Sequence, residues 1–307
     1  MELNKDLNKH CGLVSLIGKP NAGKSTLLNA ILNKKLSIAT RKPQTTQKKI
    51  LGIKTQDNTQ IIYLDTPGIH KKTKREINKY MNKTALDTLK DVDLILFLME
   101  SYKWSEDDDL VIEHLKSLSL KTPVYCIINK QDKLNNRSEL LPIIEKAKDL
   151  YPFKEIIPIS ALKKSNINTL ENLIIKEIET RTENLDYFYY PEEQYTDQRI
   201  EMLTAELIRE QLLTSLGEEL PYTTAVIISE FTKKEKLTHI EATIWVERAP
   251  QKAIVIGKAG HKLKNIGINA RQEIEQLLDT KVCLKLWVKV KEKWSDDKNK
   301  LTSLGFY

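Results

Sequence analysis

The octapeptide Gly18-Lys19-Pro20-Asn21-Ala22-Gly23-Lys24-Ser25 constrains this 307-residue chain more than any other stretch. It follows the apolar run Leu13 to Ile17 and precedes Thr26-Leu27-Leu28-Asn29-Ala30-Ile31-Leu32. A G-x-x-x-x-G-K-S pattern therefore falls where a buried strand turns into a helix. The two glycines let backbone amides converge on an anion without Cβ clashes, and the helix start adds partial positive charge. Lys24 can reach the outer phosphate oxygens of a nucleotide, and the Ser25 hydroxyl can hold Mg²⁺.

Behind this loop, strands alternate with helices. Lys49 to Lys54 and Gln60 to Leu64 read as two strands joined by the polar turn Gln56-Asp57-Asn58-Thr59. The second delivers Asp65-Thr66-Pro67-Gly68, an acid at the end of a buried strand followed by a glycine with its backbone free. Sensing a terminal phosphate needs that pair: Asp65 reaches Mg²⁺ through water, and the Gly68 amide bonds the phosphate. His70 to Thr84, charged and loosely periodic, is expected to be a mobile loop leading into a helix. Val92 to Met99 predicts a buried strand, Asp107 to Leu118 an amphipathic helix, and Pro123 to Ile128 another strand, ending at Asn129-Lys130-Gln131-Asp132. The Asp132 carboxylate can accept two adjacent hydrogen bonds from the ring N–H and exocyclic amine of guanine, whereas adenine would leave it unpaired. Asn129 is expected to tie this loop to the phosphate loop while the Lys130 stem covers the base. Glu155 to Ile159 leads to Ser160-Ala161-Leu162, whose amides suit the guanine carbonyl, and the helix Ile167 to Arg181 closes a domain at 1–181. Motifs at the carboxyl ends of successive strands predict an α/β fold, a mostly parallel sheet with helices on both faces.

The polar and aromatic stretch 182–196 reads as a linker, with Tyr187, Phe188, Tyr189 and Tyr190 expected to pack between domains. A smaller α+β domain is predicted over 197–291. It runs from a helix at Asp197 to Leu213 through the turn Gly217 to Tyr222 to a hairpin of Thr223 to Glu230 and Leu237 to Glu247. A short helix, Gln251 to Ile256, then meets Gly257-Lys258-Ala259-Gly260, a helix His261 to Leu278 and a strand Lys281 to Val290. Two helices joined by a tight G-x-x-G, with Lys258, His261, Lys262 and Lys264 around it, suit a clamp on about four nucleotides of single-stranded RNA. Ile254, Val255 and Ile256 would line the adjacent groove. The charge agrees: of a formal net +7, ten basic residues against three acidic ones lie between Arg248 and Lys291, and six against none between Lys34 and Lys49. Residues 292–307 make a tail.

No apolar run is long enough to cross a bilayer, and the start MELNKDLNKH lacks a secretion signal, so a cytoplasmic protein is expected. Cys11, Cys126 and Cys283 form no pair or framework and are expected to be buried, reduced and inert. A monomer is expected, since nothing signals an oligomer. Peripheral contact with the cytoplasmic face of the inner membrane stays open, with no amphipathic helix or lipidation signal behind it.

Taken together, the P-loop, DTPG, NKQD, SAL and GxxG motifs resemble the bacterial Era GTPase family, a Ras-like G domain joined to a type II KH domain. The likeness includes Pro43-Gln44-Thr45-Thr46-Gln47, Arg75-Glu76-Ile77-Asn78 with Met81-Asn82, GEELPY at Gly217 to Tyr222, and VIGKAGHKLKNIG at Val255 to Gly267. Lys293-Trp294 and Ser303-Leu304-Gly305-Phe306 also resemble family tails. The resemblance implies GTP hydrolysis coupled to maturation of the small ribosomal subunit, with the KH domain on its ribosomal RNA near the 3′ end. It also implies a Mg²⁺-binding threonine within Thr45-Thr46, of which Thr46 is favoured. The clamp departs from the family as GKAG where GKGG is common, and the first switch ends in Gln47 where Arg is usual.

Lys24, Mg²⁺ on Ser25 and Thr46, and the P-loop amides are expected to neutralise charge during phosphoryl transfer, with the Gly68 amide bonding the terminal phosphate. The water-positioning glutamine of Ras-like proteins is missing, because Ile69 stands there, so slow basal turnover is expected. Related GTPases with an aliphatic residue at that place often carry a P-loop asparagine that helps bind K⁺, and Asn21 occupies the position. Two readings follow: a GTP-driven switch, or an RNA-binding assembly factor whose nucleotide site is structural or sensory.

Overall fold

The apolar run ahead of the octapeptide forms the last five residues of β1 (His10–Ile17), and the octapeptide's last two residues open α1 (Lys24–Leu32). The computed structural model describes residues 8–40, 42, 45–71, 75–118, 121–216 and 224–306. Pro43 and Gln44 of the first switch, the GEELPY turn, Thr223 and part of the expected mobile loop, 72–74, lie outside them. The described residues fall into two units, the first drawn from Met1–Ala39, Thr46–Thr73 and Met81–Asp197, the second from Thr40–Thr45, Lys74–Tyr80 and Gln198–Tyr307.

In the first unit β2 (Ile50–Gln56) and β3 (Thr59–Asp65) form a hairpin whose two-residue turn places Asp57 at φ 51°. After α2 (Glu76–Asp87) come β4 (Leu94–Glu100), α3 (Glu106–Ser117), β5 (Val124–Asn129), α4 (Leu140–Leu150), β6 (Glu155–Pro158) and α5 (Ile167–Arg181). The sheet order is β2-β3-β1-β4-β5-β6, with only β2 antiparallel to its neighbour. β3, β4 and β5 are buried along their whole length, which is why they read as continuous apolar runs rather than alternating ones. The core beneath them includes Ile17, Ile69, Phe97, Val111 and Ile128. α4 was not expected from the sequence; it keeps only Ala147 buried and lays Ile143 and Ile144 partly against this core.

The stretch 182–196 is not a free linker. It lies along the first unit, where Leu185 pairs with Lys9, Thr196 with Gly52, and the Tyr190 backbone with the Gln60 side chain. Its aromatics divide accordingly: Tyr190 packs on the first unit's core, while Tyr187 and Tyr189 are exposed. The expectation of packing between domains gives way to packing on one of them.

The second unit carries α6 (Ile200–Ser215), β7 (Ala225–Lys233), β8 (Leu237–Val246), α7 (Ala249–Ile256), α8 (His261–Leu278) and β9 (Lys281–Val290). β7 and β8 pair antiparallel, β8 and β9 parallel, and α6 and α8 pack on the sheet through Leu207, Ile208, Leu212, Ile266, Ala270 and Ile274. Residues 292–306 are part of this body: Trp294 and Leu301 are fully buried, α9 (Lys298–Ser303) is capped by the Asp297 carboxylate, and Phe306 meets Tyr80 edge-on at 5.5 Å. Cys11 and Cys126 are buried, whereas Cys283 is half-buried on β9.

Phe97 has no exposed surface and stacks on Phe153 with centroids 5.8 Å apart. Phe97→Ala is expected to cost about 3–5 kcal/mol, read as a lowered denaturant midpoint for the first unit.

Candidate functional site

Four loops of the site leave the carboxyl ends of β1, β3, β5 and β6, the place where parallel sheets hold ligands, and a fifth, carrying Ser37 and Thr46, joins α1 to β2. After β1 the chain turns on Gly23, at φ 101°, and a Cβ there would stand 2.2 Å from Asn129 Nδ2. Asn21 also takes a left-handed conformation, φ 64°. α1 then starts without a side-chain cap, so its first amides are available to an anion. The Lys24 ammonium is buried and donates to the carbonyls of Gly18 (3.1 Å) and Lys19 (3.0 Å). Burial lowers its pKa to about 8, against the opposing charges of Asp65 and Asp108.

Beside Lys24 four oxygen-bearing side chains meet. Ser25 Oγ donates to Asp65 Oδ2 at 2.7 Å, Ser37 Oγ donates to the same oxygen at 2.9 Å, and Thr46 Oγ1 lies 2.7 Å from Ser25 Oγ. Asp65 Oδ1 is buried with no hydrogen-bond partner. Burial pushes the Asp65 carboxyl above its ordinary value despite Lys24 and the two serines. An orphaned carboxylate oxygen next to two hydroxyls is a donor set that fits a hard cation sharing its shell with phosphate oxygens. Thr45, by contrast, bonds Thr40 Oγ1 (2.8 Å) and the Lys42 carbonyl (2.7 Å). Thr66 is tied by its hydroxyl to the Leu16 carbonyl (2.8 Å). Ile69, 1% exposed, packs into the core, and its amide donates to Gly18 O at 3.3 Å.

At the other end Asn129 binds three loops with one amide group. Its Nδ2 donates to Ala22 O at 2.9 Å, while its Oδ1 accepts from Lys130 N at 2.7 Å and Ala161 N at 3.0 Å. Asp132 stands exposed on a single 3-10 turn and accepts from Ser160 Oγ. The expectation that all three amides of Ser160-Ala161-Leu162 serve the base is narrowed. Ser160 N donates to Ser165 O (3.1 Å) and Ala161 N to Asn129, so Leu162 N is the one of the three with no bond to the protein.

The sequence did not point to Ser37, Glu100 or Asp108. Lys19, expected at the phosphates, instead sends its side chain to Asp108 Oδ2 (2.7 Å), leaving its backbone for the ligand. Glu100 closes the apolar strand β4, and an acid ending a buried strand was the available signal.

In the second unit α7 and α8 meet at Gly257-Lys258-Ala259-Gly260. Gly257 (φ 72°) is pressed against Lys262, where a Cβ would sit 2.6 Å from the Lys262 Cβ; a Cβ on Gly260 (φ 77°) would meet nothing within 4 Å. Ser215, Ile254, Gly257, Lys258, His261 and Lys262 line an open groove of about 560 Å³. Ile254 is exposed there, but Val255 is fully buried in the core and does not line the groove, as the 3.6-residue turn of α7 requires. Ile256 is partly buried against the same core.

Residues 13–130 match the family model described as 50S ribosome-binding GTPase, and residues 219–295 match a KH domain model. A curated relative called GTPase Era from Coxiella burnetii (strain Dugway 5J108-111) is 49% identical over 297 residues, 97% of this chain and 98% of that one. One of the same name from Pseudomonas fluorescens is 48% identical, covering 96% of each. Among solved structures, a variant of Aquifex aeolicus Era bound to GDP and AlF4⁻ superposes with a TM-score of 0.90 at 36% identity, over 97% of this chain and 99% of that one. Era in complex with MgGDPNP and nucleotides 1506–1542 of 16S ribosomal RNA gives 0.91 at 37% identity, over the same shares. With a nucleotide cradle on one unit and a helix–G-x-x-G–helix on the other, the chain belongs to the Era family, GTP hydrolases that carry a KH domain.

Proposed function

We propose that the chain is a Mg²⁺-dependent GTPase switch in maturation of the small ribosomal subunit, holding single-stranded ribosomal RNA near the 3′ end through its KH clamp. The observation that carries this is the Asp65 oxygen without a partner, set beside Ser25, Thr46 and the buried Lys24. Ser25, Thr46 and Asp65 would hold Mg²⁺, which when bound neutralises phosphate charge. Lys24 supplies a second positive charge to the terminal phosphates, and the Gly68 amide bonds the γ-phosphate. Asp132 reads guanine, and the Lys130 stem covers it. The solved complex of Era with 16S ribosomal RNA supports the RNA assignment, as do Lys258, His261 and Lys262 around an open groove. We place the protein in the cytoplasm as a monomer; no described helix is long and apolar enough to cross a membrane, and peripheral membrane contact is the lesser reading.

Ile69 is locked in the core and offers nothing to orient water. Basal turnover is therefore expected within about a hundredfold of the unassisted Ras-type rate of roughly 10⁻⁴ per second. An RNA copying the small-subunit 3′ end is expected to accelerate it. Gly260→Asp, which adds a negative charge at a left-handed position (φ 77°) that aspartate tolerates better than most side chains, is expected to weaken RNA binding at least tenfold and abolish the stimulation. Tight RNA binding without stimulation would favour the assembly-factor reading, in which the nucleotide site is sensory. We assign Asn21 to a K⁺ that assists hydrolysis, so turnover in K⁺ is expected to exceed that in Na⁺; equal rates would remove the assignment.

Phosphates beside Lys24 favour its charged form. Below pH 8 the free protein already carries that charge, so GDP affinity is expected to be level; above pH 8 binding must take up a proton. Affinity then falls as pH rises, by up to about tenfold per unit, as isothermal titration between pH 6.5 and 9 would record.

A further inference from the structure

β4 lies between β1, which emits the phosphate loop, and β5, which emits the base loop, and its last residue is Glu100. The Glu100 side chain is 7% exposed and shared by two lysines. Its Oε2 lies 3.3 Å from Lys19 Nζ in the phosphate loop, and its Oε1 accepts from Lys130 Nζ in the base loop. Tyr102 OH donates to Oε1 at 3.1 Å and itself accepts from Lys133 Nζ at 2.9 Å, so the base loop is gripped at two lysines. On the far side Lys19 is held independently by Asp108 Oδ2 (2.7 Å), the Lys103 carbonyl (2.8 Å) and Ser105 Oγ (3.3 Å). Asp108 has no exposed surface and also accepts from Ser105 N and Oγ, both at 2.9 Å.

The four charges form a chain of alternating sign, Lys130–Glu100–Lys19–Asp108, in which only Lys130 keeps appreciable exposure. Burial pushes the Glu100 carboxyl up, but the hydrogen bond from Lys130 and the charges of Lys130 and Lys19 outweigh it, so the group is held below its ordinary value and is ionised at neutral pH. We propose that Glu100 is a positioning residue for nucleotide retention: it tethers the base-covering Lys130 to the phosphate loop through Lys19, so that the two ends of the nucleotide are gripped as one. The tether answers a physical need. A lysine stem that must lie flat along a base loses much rotamer freedom on doing so, and an ammonium anchored beforehand has already lost it. Lys130 is also set in a left-handed conformation, φ 67°, directly ahead of the 3-10 turn that carries Asp132. Lys19, with its other three partners, keeps the phosphate loop in place when Glu100 is changed.

The inference rests on the base loop holding guanine through Lys130, and the test separates the two. In the full chain, release of a fluorescent GDP is timed for wild type, Glu100→Gln, Lys130→Met and the double variant, with the melting temperature of each nucleotide-free protein. Glu100→Gln and Lys130→Met are each expected to speed release about tenfold, and the double variant no more than Lys130→Met alone. If Glu100 only supported the fold, its effect would multiply with that of Lys130→Met, and the proposal is overturned. It is overturned equally if Lys130→Met speeds release and Glu100→Gln changes it less than twofold. If Lys130→Met itself has no effect, the assignment of the base loop falls, and the tether with it. Should Glu100→Gln lower the melting temperature by more than a few degrees, Glu100→Asp supplies the second variant: a carboxylate that keeps the charge but is one methylene too short to span both lysines must speed release, and no further when combined with Lys130→Met.

Discussion

One side-chain amide sets the width of the nucleotide site. Asn129 ends β5 and bonds Ala22, Lys130 and Ala161, so the loops after β1, β5 and β6 stand at distances fixed by a single rigid group. A carboxamide can do this because it donates and accepts from the same plane, and because it is 2% exposed, water does not compete. The parallel sheet makes the arrangement possible by putting three strand ends side by side. Gly23 completes it, since any larger residue would displace Asn129.

The motifs that touch phosphate and base were legible because each is a local string whose chemistry depends on its own backbone: the octapeptide, the acid and glycine after β3, NKQD after β5. The parallel sheet followed from their order. What the sequence did not disclose is tertiary. The Lys19 side chain lies in the middle of the motif yet turns toward α3, 89 positions along the chain, because Asp108 is buried there and needs a cation. The Ala161 amide is spent on Asn129, which no pattern within Ser160-Ala161-Leu162 records. Val255 sits between two groove candidates, but helix geometry turns it into the core. The tail at 292–307 carries no legible period, because the three large apolar side chains that hold it, Trp294, Leu301 and Phe306, are spaced irregularly.

Two kinds of polar group share the first unit's interior. Some are satisfied twice over, such as Glu100 and Asn129, and these brace the loops against one another. Others are left wanting, such as Asp65 with its unpartnered oxygen and Lys24 with its lowered pKa. Burying an unmet charge destabilises a fold, so a ligand that meets both deficits at once returns that free energy as affinity. A GTPase built this way is stabilised by the guanine nucleotide it binds.

Ala259 stands at φ 49° in the clamp, where an alanine is held at a cost of about 1–2 kcal/mol relative to its right-handed conformation. Glycine would adopt that angle freely, but would also wander from it. An alanine held left-handed between two glycines stiffens the tip of the turn, so less conformational entropy is left to lose when a nucleic acid backbone arrives. Strain in the unbound loop is thereby exchanged for a narrower set of backbone shapes than glycine would allow at that place.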